Sequence, residues 1–191
     1  LIIKKLLAWK NSKYRKPLIL KGVRQVGKTW LLKEFGKRYY ENTAYFNFDE
    51  NEEYKQFFET TKDVERILQN LTLASGQTIT PENTLIIFDE VQECPNLVSA
   101  LKYFCQDYPE IPVIATGSMV RIKIQRETHK RGVGESGSFL FPVGKIDQLT
   151  IYPMTFDEFL MNSNEVLFEK IKEAYANRMP LDFNVHELGM E

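Results

Sequence analysis

Two glycines, a lysine and a threonine have the spacing of a phosphate-binding loop. Gly22, Gly27, Lys28 and Thr29 fit the pattern G-x-x-x-x-G-K-[ST] without a mismatch. In such a loop the backbone N–H groups at the start of the following helix point at an anion, and glycines keep Cβ atoms away from it. The lysine places a cation on the β and γ phosphates, and the threonine hydroxyl ligates Mg²⁺. The predicted nucleotide-binding residues are Gly22, Val23, Arg24, Gln25, Val26, Gly27, Lys28, Thr29 and Trp30.

A second chemical stretch is an apolar run that ends in two carboxylates. Residues 85–88 are all apolar and precede Asp89 and Glu90, which is typical of a parallel strand buried on both faces. Open α/β sheets bind ligands at the carboxyl ends of their strands. This Walker B pattern predicts that Asp89 holds Mg²⁺ through water and that Glu90 orients and deprotonates the attacking water. The alternative, an acidic N-cap for the next helix, accounts for one carboxylate but not for the pair.

Small polar residues end another predicted strand, over residues 111–118. In ATPases with an extra strand between the two Walker strands, this position carries the sensor that contacts the γ-phosphate or the attacking water. Thr116 and Ser118 are the candidates, and the alternative is a polar turn from strand to loop. The predicted catalytic residues are therefore Lys28, Glu90, Thr116 and Ser118.

The elements that position these residues follow from hydrophobic periodicity. Strand patterns alternate with helical patterns along the chain, which is typical of an α/β architecture. We expect the helix after the phosphate loop to fray near Gly36, and Thr155 and Glu158 are in capping-box register. The predicted strands cover residues 17–20, 43–49, 84–90, 111–118 and 146–151. The predicted helices cover residues 1–10, 30–40, about 50–60, 64–71, 95–105, 153–160 and 166–176.

The composition is that of an ordinary globular chain. Of its 191 residues 43% are hydrophobic and 27% charged, and the sequence predicts neither a membrane span nor a signal peptide. Cys94 and Cys105 have neither metal-site nor disulfide spacing, and a cytoplasmic location without a membrane partner is the prediction. Because the sequence lacks an initiator methionine, we expect a fragment of a longer chain.

Charge is distributed unevenly. The formal net charge is −1, yet residues 1–40 contain twelve Lys/Arg against one Asp/Glu. A nearly neutral chain gives no support for general nucleic-acid affinity. Within residues 119–145, residues 120–125 and 139–141 alternate between apolar and polar types and are separated by a glycine-containing turn at 132–137, which predicts a protruding β-hairpin with five Lys/Arg between Arg121 and Arg131. That segment leaves three interpretations open: contact with nucleic acid, contact with a neighbouring subunit's nucleotide, and a solvated surface.

Taken together, the motifs resemble a bacterial and archaeal family of AAA-type ATP-binding proteins, over residues 1 to about 160. The resemblance implies a P-loop NTPase of the α/β class, with a doubly wound parallel sheet in the order 5-1-4-3-2. It implies an ATPase domain over residues 1–160, with residues 161–191 as a helical extension that begins a C-terminal lid or second domain of uncertain function. The segments that carry the resemblance are residues 22–29, 88–92 with Pro95, 116–118, 141–145 and 152–160.

The expected function is Mg²⁺-dependent binding and hydrolysis of ATP, coupled to conformational change on an unknown client. A slowly hydrolysing nucleotide switch is the alternative, and a small-molecule kinase is disfavoured by the Asp89–Glu90 pair. ATP rather than GTP follows from the resemblance, since the sequence has no Asn-Lys-x-Asp guanine motif. No secure arginine finger or lid arginine is identifiable, which leaves a homo-oligomer open.

Overall fold

The structure is a computed structural model that describes residues 2–117, 142 and 144–180. The chain divides into two compact units, residues 1–152 and 153–191. The predicted boundary between an ATPase domain and an extension, after residue 160, stays a prediction. So does the β-hairpin at 119–145, most of which lies outside the described residues. No helix in the described ranges is long and apolar enough to cross a membrane.

The first unit is built around a parallel sheet, which has five strands within the described residues. Their spatial order is β2-β3-β4-β1-β5, which is the predicted order 5-1-4-3-2 read from the opposite edge. All four pairings are parallel, so the predicted α/β class with a doubly wound sheet is confirmed. The strands are β1 (Leu18–Lys21), β2 (Asn42–Asn47), β3 (Thr84–Asp89), β4 (Val113–Gly117) and β5 (Asp147–Thr150).

Helices follow the strands at nearly the predicted places. A short 3₁₀ turn at Val91–Glu93, directly after β3, was not predicted. Within the described residues, the helices of the first unit are α1 (Ile2–Lys10), α2 (Lys28–Tyr39), α3 (Glu53–Glu59), α4 (Val64–Ser75) and α5 (Pro95–Asp107). Those of the second unit are α6 (Phe156–Ser163) and α7 (Glu165–Asn177).

Side chains of the sheet alternate between two hydrophobic cores, one on each face. Ile86 and Phe88 of β3 pack in the core that contains α3, α4 and α5. Leu85 and Ile87 pack in the core that contains α1 and α2. Because successive side chains of a strand point to opposite faces, β3 needs an apolar residue at each of these positions. This requirement on both faces of β3 accounts for the continuous apolar run in the sequence.

Helix α2 does not fray at Gly36, and the expectation that it would was wrong. The helix continues to Tyr39 with Gly36 buried. A Cβ atom at Gly36 would lie 2.3 Å from Thr43 Oγ1 and 2.9 Å from Thr43 Cγ2. A glycine inside a helix costs about 1 kcal/mol relative to alanine, but here it lets α2 approach β2 closely.

The described part of the second unit contains two capped helices around a small core. Thr155 Oγ1 accepts a hydrogen bond from Glu158 N at 3.2 Å, and Thr155 N donates to Glu158 Oε2 at 3.0 Å. The predicted capping box is therefore confirmed. Leu160, Leu167 and Phe168 form the buried cluster between α6 and α7.

Candidate functional site

The predicted phosphate loop connects β1 to α2 at the carboxyl edge of the sheet. Gly27 is the N-cap of α2 and has φ 84°, a left-handed conformation that glycine adopts without a steric cost. The first N–H groups of a helix have no partner within it and attract anions. Gly22 meets a different requirement, since a Cβ atom there would lie 2.6 Å from Ile151 Cγ2. Glycine at this position lets the loop pass the end of β5.

Two non-glycine residues with left-handed backbone conformations lie at this edge. Gln25 in the loop has φ 61°, and Glu90 after β3 has φ 53°. Such conformations cost roughly 1 kcal/mol or more outside glycine and tend to occur at functional sites. Glu90 is thereby turned out of the line of β3 at the edge where the phosphate loop lies.

Lys28 is folded into its own loop. Its side chain is buried, at 6% exposure, and its ammonium group donates to the carbonyl oxygens of Gly22 (3.1 Å) and Val23 (2.8 Å). Burial lowers the pKa of Lys28, while the charges of Glu90 and Asp89 oppose that shift. A partly desolvated cation at the centre of the loop attracts an incoming anion more strongly than a solvated one.

The two predicted metal-binding residues are in direct contact. Thr29 Oγ1 donates a hydrogen bond to Asp89 Oδ2 at 2.7 Å, and Asp89, at the end of β3, is 2% exposed. Hydroxyl and carboxylate oxygens are the ligands that Mg²⁺ prefers, with one or two carboxylates, waters and substrate phosphates completing its shell. Among the described residues no three His, Cys, Asp or Glu side chains gather into a cluster that could hold a metal ion by themselves. The pair fits a Mg²⁺ that shares its shell with phosphate.

Glu90 lies beside the phosphate loop, and a nearby side chain donates a hydrogen bond to its carboxylate. Gln92 Nε2, in the 3₁₀ turn, donates a hydrogen bond to Glu90 Oε2, and both side chains line the same cavity. The two carboxylates at the end of β3 therefore have different surroundings. Asp89 is buried against Thr29, whereas Glu90 faces the open space.

That cavity has a volume of about 570 Å³, within the range of roughly 300–1,000 Å³ found for small-molecule sites. Trp30 lines it with a side chain that is 68% exposed. Of the lining residues, Asp49 and Glu93 were not predicted, and Gln92 was not assigned a role. Asp49 follows β2 at the carboxyl edge of the sheet, a position that could have indicated it. The lining residues are Arg24, Gln25, Gly27, Lys28, Thr29, Trp30, Asp49, Glu90, Gln92 and Glu93.

The predicted sensor residues are described only in part. Thr116 lies at the end of β4 beside Leu20 of β1, is fully buried, and its hydroxyl has no hydrogen-bond partner among the described residues. Ser118 lies outside the described residues. Gly22, Val23 and Val26 belong to the loop but are not among the residues that line the cavity. The sensor function therefore stays a prediction.

A tyrosine that the sequence did not indicate also contacts the site. Tyr45 Oη, from β2, donates a hydrogen bond to Asp89 Oδ2 at 2.9 Å. Burial raises the pKa of Tyr45, and its hydrogen bond to Asp89 raises the pKa further. The hydroxyl is therefore protonated at neutral pH and acts as a donor.

Comparisons with known proteins agree with this geometry. Residues 14–160 match the model of a family described as an AAA domain, and no curated protein sequence matches the chain. The structure is similar to a Walker-type ATPase of Pyrococcus abyssi, with a TM-score of 0.50 and 19% identity over 97% of this chain and 60% of that one. That likeness confirms the predicted P-loop NTPase fold, and the chain spans 60% of the length of that ATPase.

Two further solved structures are more distant. The Aeropyrum pernix ORC1 protein in complex with DNA matches with a TM-score of 0.47 and 12% identity, over 90% of this chain and 47% of that one. PCH-2 of C. elegans matches with a TM-score of 0.43 and 11% identity, over 92% of this chain and 46% of that one.

Proposed function

Because the chain belongs to the AAA domain family, whose model matches residues 14–160, we propose that it binds ATP with Mg²⁺ and hydrolyses it. The observation that carries the proposal is the 2.7 Å hydrogen bond between Thr29 and Asp89. It joins the last residue of the phosphate loop to the carboxylate of the Walker B strand, 60 residues away along the chain. The choice of ATP over GTP rests on the family.

The phosphate loop and the first turn of α2 bind the phosphates. The backbone N–H groups that follow Gly27 supply hydrogen-bond donors. Lys28 supplies the cation, exchanging its bonds to the carbonyls of Gly22 and Val23 for bonds to the β and γ phosphates. Trp30, exposed at the cavity, offers an aromatic surface to the rest of the nucleotide.

Thr29 and Asp89 are the residues that would hold Mg²⁺, the hydroxyl directly and the carboxylate through water. When bound, Mg²⁺ neutralises the negative charge on the phosphate oxygens. Asp89 suits this role because its carboxylate is buried and already hydrogen-bonded through both oxygens, Oδ1 to Glu90 N at 3.0 Å and Oδ2 to Thr29.

Glu90 acts as the general base. Its carboxylate takes a proton from a water molecule as the water oxygen attacks the γ-phosphorus and the bond from that phosphorus to the β–γ bridging oxygen breaks, which leaves ADP and phosphate. The amide of Gln92 orients the carboxylate through its hydrogen bond. Thr116, at the end of β4, and Ser118 are proposed to contact the γ-phosphate.

Turnover is proposed to drive a conformational change on a client, with residues 1–160 as the ATPase domain and residues 161–191 as the start of a lid or second domain. A slowly hydrolysing switch is the second candidate, which the Gln92–Glu90 hydrogen bond favours because it engages Oε2 of the base and leaves only Oε1 to take a proton. The rate of turnover separates the two. Contact with nucleic acid, a homo-oligomer and a cytoplasmic location stay predictions.

The proposal is tested with the whole chain by calorimetric titration of ATP and GTP and by measuring phosphate release, each with Mg²⁺ or with a chelator. We expect ATP to bind, and phosphate release to need Mg²⁺. Lys28→Met should bind ATP more weakly than the wild type, whereas Lys37→Met, at an exposed lysine of the same helix, should bind as the wild type does. Absence of ATP binding by the wild type would overturn the proposal, and binding without phosphate release would favour the switch.

A further inference from the structure

The Asp89 carboxylate accepts hydrogen bonds from three different parts of the chain. Glu90 N donates to Oδ1 at 3.0 Å. Thr29 Oγ1 of α2 and Tyr45 Oη of β2 both donate to Oδ2, at 2.7 Å and 2.9 Å. Only the tyrosine contact lies outside the Walker motifs, and nothing in the proposed function uses it.

The register of two strands sets this contact. Tyr45 of β2 pairs with Ile87 of β3, and Asn47 pairs with Asp89. Since residues two apart in a strand share a face, Tyr45 and Asp89 lie diagonally on the same side of the sheet. Tyr45 packs at the edge of the core that contains α2, so its ring is held in place while its hydroxyl reaches the carboxylate.

A lysine of helix α2 lies over the ring of the same tyrosine. Lys33 Nζ lies 3.9 Å from the centre of the Tyr45 ring, and Lys33 follows Thr29 by four residues, which is one turn of the helix. A cation over an aromatic ring is attracted to its negative face. The helix that carries the phosphate loop therefore contacts Asp89 through Thr29 and also supports Tyr45.

If the Thr29 hydroxyl were engaged by a metal ion, Asp89 Oδ2 would lose one of its two donors. A carboxylate that is 2% exposed is costly to leave without hydrogen bonds. Tyr45 reaches Oδ2 without touching the loop, so its bond can persist while the Thr29 hydroxyl is engaged elsewhere. Groups that orient a metal-binding carboxylate in this way typically change metal affinity by about 10- to 100-fold.

We propose that Tyr45 is a positioning residue, which keeps the Asp89 carboxylate oriented for Mg²⁺ after the Thr29 hydroxyl has moved to the metal. The proposal rests on the proposed function, since it assumes that Asp89 and Thr29 hold Mg²⁺ with a bound nucleotide. Tyr45 itself touches neither nucleotide nor metal.

The test compares the affinity for ATP with Mg²⁺ and with a chelator, by calorimetry, in the wild type, Tyr45→Phe and Tyr40→Phe. Phenylalanine at position 45 removes the hydroxyl and keeps the ring that packs beneath Lys33. Tyr40→Phe is the matched control, because the Tyr40 hydroxyl is buried without a hydrogen-bond partner among the described residues. Melting temperatures of both variants report whether the fold is intact.

We expect Tyr45→Phe to bind ATP normally in chelator and to lose about tenfold or more of the gain in affinity that Mg²⁺ provides. Tyr40→Phe should behave as the wild type. A gain in Tyr45→Phe equal to that of the wild type would overturn the proposal and leave Tyr45 a packing residue. Failure of the wild type itself to bind ATP would instead refute the proposed function, and the inference with it.

Discussion

Lys28 carries a positive charge in a buried position. The buried charge lowers the stability of the folded chain, but it favours the binding of an anion. The folded chain holds the Lys28 proton less tightly than the unfolded chain, because burial lowers its pKa from the ordinary 10.5. At a pH below the folded pKa, Lys28 is charged in both the folded and the unfolded chain, and burying that charge lowers the free energy of unfolding by its full amount. Between the folded pKa and 10.5 the unfolded chain binds more protons, so the free energy of unfolding rises with pH. The charge therefore serves binding rather than folding.

Lys28→Met should separate these effects. We expect its affinity for ATP to fall by roughly 10- to 100-fold, since a hydrogen bond to a charged group contributes about 1.5–3 kcal/mol. The variant should melt at the same or a higher temperature at neutral pH, and its advantage should shrink as the pH rises toward about 10. Urea unfolding at the two pH values measures this, and a variant that is less stable at neutral pH would show that Lys28 supports the fold.

At the scale of elements, the close contact between α2 and β2 requires a residue without a side chain at position 36. Gly36→Ala adds a Cβ atom 2.3 Å from Thr43 Oγ1, and both branches of the threonine are close, so a change of rotamer gives little relief. We expect a net loss of about 1–3 kcal/mol in the free energy of unfolding, although alanine is the better helix former. Denaturant unfolding measures the loss.

A second substitution in β2 tests the cause of that loss. Thr43→Ala removes both clashing atoms, Oγ1 and Cγ2, so the double variant Gly36→Ala with Thr43→Ala should be more stable than additivity of the single variants predicts. Strict additivity would mean that the cost arises elsewhere than in this contact.

The cap of α6 is local to the second unit. Thr155→Ala removes the acceptor for Glu158 N, which should cost about 1 kcal/mol and speed amide exchange in the first turn of α6. Thr155→Ser keeps the hydroxyl and should exchange at nearly the wild-type rate. Equal exchange rates in the alanine and serine variants would show that the hydroxyl contributes nothing to this helix start.

At the scale of the whole molecule, bound nucleotide should stabilise the first unit. A ligand present at about 100 times its dissociation constant adds roughly 2.7 kcal/mol to the free energy of unfolding. Hydrogen exchange with Mg²⁺ and a non-hydrolysable ATP analogue should therefore slow most at residues 22–30 and 84–90. Protection elsewhere, with none at the phosphate loop, would place the nucleotide outside the candidate site.

The strands and the phosphate loop could be predicted because both are local in the sequence, whereas the order of the strands in the sheet was implied by the family resemblance. Apolar runs at regular intervals define the strands, and Lys28 and Thr29 belong to a contiguous motif. Tyr45 could not be predicted, since it resembles any aromatic residue of a strand until the register of β2 against β3 places it beside Asp89. Gly36 was mispredicted for the same reason, because its packing partner Thr43 lies on another element.

Glu90 is proposed as the base of an ATP hydrolysis site whose other parts bind nucleotide without it. The most direct test is the rate of phosphate release by Glu90→Gln at saturating ATP and Mg²⁺, with ATP affinity measured on the same samples. Glu53→Gln, on α3, is the matched control. We predict wild-type affinity or tighter, and a rate lower by about 10²- to 10⁴-fold. Release at the wild-type rate by Glu90→Gln would show that Glu90 is not the base.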